Sequence, residues 1–156
     1  MKKEALKRIF NFLEEKGEHN APVKWKLINN IPLTEEDLNI EGDLDLSEVE
    51  VTSLPEGLKV GGYLNLEGLQ IASLPKGLKV GDLLILNLSK VTSLPNDLEV
   101  KGNLGLIGTI ITSLPKGLKV GGDLYIINAE LLRYTNNELK EMVKPGFIKG
   151  KVIREW

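Results

Sequence analysis

A twenty-residue repeat that does not drift constrains this chain more than any other feature. "SLPEGLKVGG", "SLPKGLKVGD", "SLPNDLEVKG" and "SLPKGLKVGG" begin at Ser53, Ser73, Ser93 and Ser113. The full unit reads S-L-P-x-G-L-x-V-G-G-x-L-x-L-x-x-x-x-I-x. A degenerate copy precedes these, in which "LNIEGDLDLSEVEVT" (38–52) supplies the later part and "IPLTEED" departs from S-L-P-x-G. Self-similarity at one period means a stack of like units, each too small to bury its own apolar face.

The fixed positions form apolar rows. Leu58, Leu78, Leu98 and Leu118 align with Leu38, and Val60, Val80, Val100 and Val120 with Ile40. Leu64, Leu84, Leu104 and Leu124 align with Leu44, and Leu66, Leu86, Leu106 and Ile126 with Leu46. Ile71, Val91, Ile111 and Leu131 continue Val51, and Leu54, Leu74, Leu94 and Leu114 make a sixth row. L-x-V and L-x-L alternate with period two, the signature of a strand with one face in and one face out. Glycines between the two segments mark a sharp turn. Pro55, Pro75, Pro95 and Pro115 cannot donate to a ladder and belong at a corner. Only about six residues separate L-x-L from the next S-L-P, too few for a full helix between strands. The expected fold is a repeat solenoid, mainly parallel β, of about five twenty-residue turns spanning 31–132.

Helical caps are expected at both ends. Residues 1–30 place Leu6, Ile9, Phe10 and Leu13 on one helical face, with Gly17 as a stop and Trp25, Leu27 and Ile28 as plugs. Residues 133–156 carry a capping box at Thr135 and Glu138, an apolar stripe of Leu139, Met142 and Val143, and then "FIKGKVIREW" as a last strand or hairpin. The whole reads as one structural domain.

The corners "VTSLPEGL", "VTSLPNDL" and "IITSLPKGL" resemble the leucine-rich repeats of bacterial effector proteins, and "LPxGLxVGGxLxL" resembles short leucine-rich-repeat-like proteins of bacteria and their phages, over about residues 30–132. The resemblance implies a solenoid and a small interaction protein, such as a phage inhibitor of a host protein or defence complex. Leucine-rich repeats keep an Asn at the end of the strand for a side-chain ladder. The matching places here are Glu67 or Gly68, Asn87 or Leu88, Ile107 or Gly108, and Ile127 or Asn128, so no ladder is expected.

Chemistry is sparse. The chain has no cysteine and one histidine, His19, in a polar stretch. A thiolate metal site is excluded, and a serine nucleophile would need His19 with a corner serine that repeats for structural reasons. "GFIKGK" (146–151) lacks phosphate-loop spacing. Net charge is −2 and no aromatics interleave Lys76, Lys79, Lys116 and Lys119, so no nucleic-acid role is expected. Apolar runs are too short to span a bilayer and the first residues lack a signal-peptide core. A cytoplasmic, non-catalytic protein without cofactor, metal or membrane partner is the expectation. The acidic residues between Glu35 and Glu56, with Asp43 and Asp45 on one strand face, keep a metal-binding or enzymatic alternative open.

The informative irregularity is apolar. Outward positions of the L-x-L strand read Asp43 and Asp45, Tyr63 and Asn65, Leu83 and Ile85, Asn103 and Gly105, Asp123 and Tyr125. In "LLILNL" the polar alternation fails: Leu83 and Ile85 face solvent, with Leu88 just beyond and Ile107, Ile110 and Ile127 nearby. Apolar residues flanked by Tyr63 and Tyr125 and rimmed by Asp43 and Asp45 compose an interface for a protein partner or, as an alternative, for a second copy in a homodimer.

Overall fold

The computed structural model describes residues 22–156 together with Glu4, Ala5, Lys7, Arg8, Asn11 and Glu15. The helical stripe of Leu6, Ile9, Phe10 and Leu13, with Gly17 and His19, lies outside the described residues.

The chain is a parallel β-solenoid. A first sheet runs β1 (Asn39–Ile40), β3 (Lys59–Val60), β5 (Lys79–Val80), β7 (Glu99–Val100), β9 (Lys119–Val120) and β11 (Phe147–Ile148). A second runs β2 (Leu44–Asp45), β4 (Leu64–Asn65), β6 (Leu84–Ile85), β8 (Leu104–Gly105), β10 (Leu124–Tyr125) and β12 (Val152–Ile153). One strand from each sheet makes a rung. Successive rungs stand in register, Ile40 on Val60 on Val80 and Leu44 on Leu64 on Leu84. Four turns of twenty residues link the first five rungs, and a longer turn of 28 leads to the sixth.

The rows expected from the alternation form one core. Leu58, Leu78, Leu98 and Leu118 are fully buried, as are Leu64, Leu84, Leu104 and Leu124. Leu46, Leu66, Leu86, Leu106 and Ile126 line the same interior. Each Leu so buried contributes about 2 kcal/mol. A further buried column, Leu69, Ser89, Thr109 and Ala129, lies inside the corner after the second sheet. At the turn between the sheets glycine is a steric need. A Cβ on Gly81 would lie 2.0 Å from the Gly61 carbonyl of the preceding rung.

Before the stack, the short helix α1 (Val23–Ile28) buries Leu27 against the core, with Ile28 packed beside it. Lys26 is buried and donates to both Asp37 carboxylate oxygens, at 3.1 and 2.8 Å. Thr34 and Asp37 close a reciprocal pair of hydrogen bonds around the same carboxylate. This gives the departing "IPLTEED" a reason: it replaces the S-L-P corner with a side-chain-held turn. After the fifth rung, a 3-10 turn (Glu130–Arg133) precedes α2 (Asn136–Met142), whose capping box joins Thr135 and Glu138. Leu139 and Val143 are fully buried over the stack. The segment "FIKGKVI" then pairs in parallel with β9 and β10, one strand in each sheet, where a last strand or a hairpin was expected.

Candidate functional site

The outer face of the second sheet carries Asp43, Asp45, Tyr63, Leu83, Ile85, Ile107 and Tyr125, with Leu88 at the corner beyond. Its outward side chains stand in three columns. Asp43, Tyr63, Leu83, Asn103, Asp123 and Lys151 form the first, and Asp45, Asn65, Ile85, Gly105, Tyr125 and Ile153 the second. Ser47, Glu67, Asn87, Ile107 and Ile127 follow two residues on. Stacking at about 4.8 Å per rung brings Leu83, Ile85 and Ile107 into one neighbourhood. Tyr63 and Tyr125 stand three rungs apart, one on each side of it.

Asp43, and Asn103 and Asp123 below it, build a ladder that the sequence reading did not anticipate. Tyr63 N–H donates to Asp43 Oδ1 at 2.9 Å, Asp123 N–H to Asn103 Oδ1 at 2.8 Å, and Lys151 N–H to Asp123 Oδ1 at 2.7 Å. In the third column Ile107 N–H donates to Asn87 Oδ1 at 3.0 Å. The expectation that the side-chain ladder is absent is therefore corrected: its main column sits at the start of the second strand, not after its end. A carboxylate or carboxamide pointing along the stack satisfies an N–H that the strand ladder leaves over. The signal was present as Asp43, Asn103 and Asp123 at one repeat position.

Asp45 serves its own turn. Ser47 N–H and hydroxyl donate to its Oδ1 at 2.9 and 2.7 Å. These two bonds from Ser47 hold the Asp45 carboxyl below its ordinary value. Asp43 and Asp45 thus turn to different backbone partners. Among the described residues no group of three or more histidines or acids is placed to hold a metal ion.

Against this scaffold the third rung departs in three ways. Leu83 occupies the ladder column and carries no acceptor. Ile85 stands where other rungs have Asp45, Asn65, Gly105, Tyr125 or Ile153. Leu88 adopts φ +56° at a corner where the neighbouring turns place Gly68, Gly108 and Asn128, all with positive φ. That conformation costs a residue with a Cβ about 1 kcal/mol or more. Leu88 is nevertheless 60% exposed, and its side chain leans over Gly108, where a Cβ would lie 2.6 Å from Leu88 Cδ2.

The surrounding positions are less uniform than the alternation implies. Tyr63, Leu83, Ile85, Ile107 and Tyr125 are half-buried, packed along their columns. Ile127 is buried, so it belongs to the interior and not to the surface patch. Ile110 is exposed but lies at the following corner.

The first sheet presents a different surface. Lys59, Lys79 and Lys101 edge an open groove of about 450 Å³ floored by Gly61 and Gly81. Glu99 interrupts it and pairs with Lys79 at 3.4 Å.

Comparison of the chain with known protein families, curated proteins and solved structures finds no match. Among the described residues no helix is long and apolar enough to cross a membrane.

Proposed function

We propose that this chain is a non-catalytic protein-interaction module that binds through the outer face of the second sheet. Leu83, Ile85, Leu88 and Ile107 are the anchors, Tyr63 and Tyr125 the flanks, and Asp43 and Asp45 the acidic rim. The observation that carries the reading is the coincidence on one rung of three departures from the stacking pattern. The ladder acceptor is missing at Leu83, as at Tyr63 beside it, a half-buried Ile85 follows in the next column, and Leu88 holds a left-handed corner while exposed. Strain and exposed apolar area concentrate where a surface is used. Such a module acts by occlusion, covering a surface of its partner. The resemblance of its corners to bacterial and phage repeats favours an effector that inhibits a host protein.

Photo-crosslinking tests this in the cell. A photoreactive amino acid at position 85 is expected to give protein adducts, whereas the same group at Lys79, on the first sheet, gives few. Equal yields from both positions, or none from position 85, would contradict the assignment of the face.

A further inference from the structure

We infer that, while no other protein occupies it, this face pairs weakly with a second copy of the chain, related by a twofold axis running along the strand direction between the third and fourth rungs. The inference rests on the reading above that this face is an interface.

Face-to-face pairing about such an axis reverses the stacking order while keeping strand direction. The first rung then opposes the sixth, the second the fifth, and the third the fourth. Exposed Asp43 meets exposed Lys151 of the other copy. Tyr63, a hydroxyl donor, meets Asp123, whose second carboxylate oxygen is a further acceptor beside the ladder bond. Leu83 meets Asn103, and Ile85 meets the buried Gly105, which the Asn87 carboxamide covers. Leu88, leaning toward Gly108, lies close to the axis, and the two copies of it come together.

The alternative axis, along the stack, would set each rung on its own copy. Asp45, in the middle column, would then face Asp45, which like-charge repulsion disfavours. The reversed order brings exposed Asp43 of the first rung to exposed Lys151 of the sixth.

Six rungs at about 4.8 Å and three columns at about 7 Å give a contact of on the order of 600 Å² per copy. That is below the roughly 800 Å² per partner of a standard interface, so the dimer is weak and concentration-dependent.

Light scattering from ~5 μM to ~1 mM at low salt tests it. The mass is expected to rise from that of one chain, 17.3 kDa, toward twice that value. Leu88→Gly, which relieves the left-handed corner and so folds at least as well, is expected to lower the association tenfold or more, and Ile85→Asp to abolish it. Lys151→Glu, at an exposed position, is expected to weaken it similarly by facing Asp43. Adding Asp43→Asn, which keeps the Oδ1 acceptor for Tyr63, is expected to recover part of that loss. A dimer indifferent to both Ile85→Asp and Lys151→Glu would overturn the proposal. So would a single-chain mass throughout. If adducts to other proteins still formed from position 85, that second result would leave the interface reading standing. Absence of any adduct as well would remove both.

Discussion

Leu88 and its neighbour Ser89 show two separable demands on single positions in this stack. Leu88 accepts a left-handed backbone that glycine takes at no steric cost, and exposes its side chain. Ser89 is the reverse case, buried in the column of Leu69, Thr109 and Ala129. Thr109 uses its hydroxyl to donate to Leu106 O at 2.8 Å, whereas Ser89 Oγ has no hydrogen-bond partner among the described residues. A buried hydroxyl left unpaired costs about 1 kcal/mol or more. Ser89→Ala is therefore expected to raise the unfolding free energy by about 0.5–1 kcal/mol, read as a higher denaturant midpoint. A loss of stability would mean that the hydroxyl is satisfied and structural.

At the scale of strands and turns, the parts legible in the sequence are those a period can express. L-x-V and L-x-L reveal two strands per turn because each rung repeats the same inward pair. The Asp43, Asn103 and Asp123 ladder was hidden because Tyr63 and Leu83 break the column, and because it stands at the start of the strand, whereas leucine-rich repeats carry their Asn at its end. The turn that begins the stack was hidden for a different reason. Lys26 and Asp37 are eleven residues apart and meet only once α1 packs. Burial works to raise the Asp37 carboxyl, but the hydrogen bond from Lys26 and those from Thr34 more than offset it and hold the carboxyl below its ordinary value. A carboxyl depressed in the folded state stabilises the fold above its unfolded pKa, and that contribution is lost as pH falls through the folded one. Asp45, held down by Ser47, acts with the same sign. Stability is accordingly expected to fall below about pH 4. Asp37→Asn is expected to remove part of this pH dependence and to cost about 3 kcal/mol at neutral pH, because Lys26 loses the buried Asp37 carboxylate as a partner. Denaturant titrations at pH 7 and pH 3 measure both. A variant as stable as the parent at pH 7 would show that the pair contributes nothing.

Over the whole molecule, the sixth rung is the largest feature that the twenty-residue period concealed. "IKGKV" (148–152) matches "VGGDL" (120–124) in register, but a 3-10 turn and α2 stretch that turn to 28 residues. Gly150 keeps the glycine of the turn, where a Cβ would meet the Asp123 carboxylate and the Gly122 backbone. That rung supplies Lys151, the basic counterpart of Asp43. The molecule therefore carries its charge gradient along the same stack that carries the apolar third rung. The proposed function requires that the third rung depart from the pattern for binding and not for folding. Its most direct test is the unfolding free energy, at a concentration where the chain is monomeric, of a variant combining Leu83→Asn, Ile85→Thr and Leu88→Gly. These changes restore a ladder acceptor, a polar strand residue and a strain-free corner. That variant is expected to be at least as stable as the parent, by up to about 1 kcal/mol. A loss of more than about 2 kcal/mol would show that these side chains hold the solenoid together, and would contradict the claim.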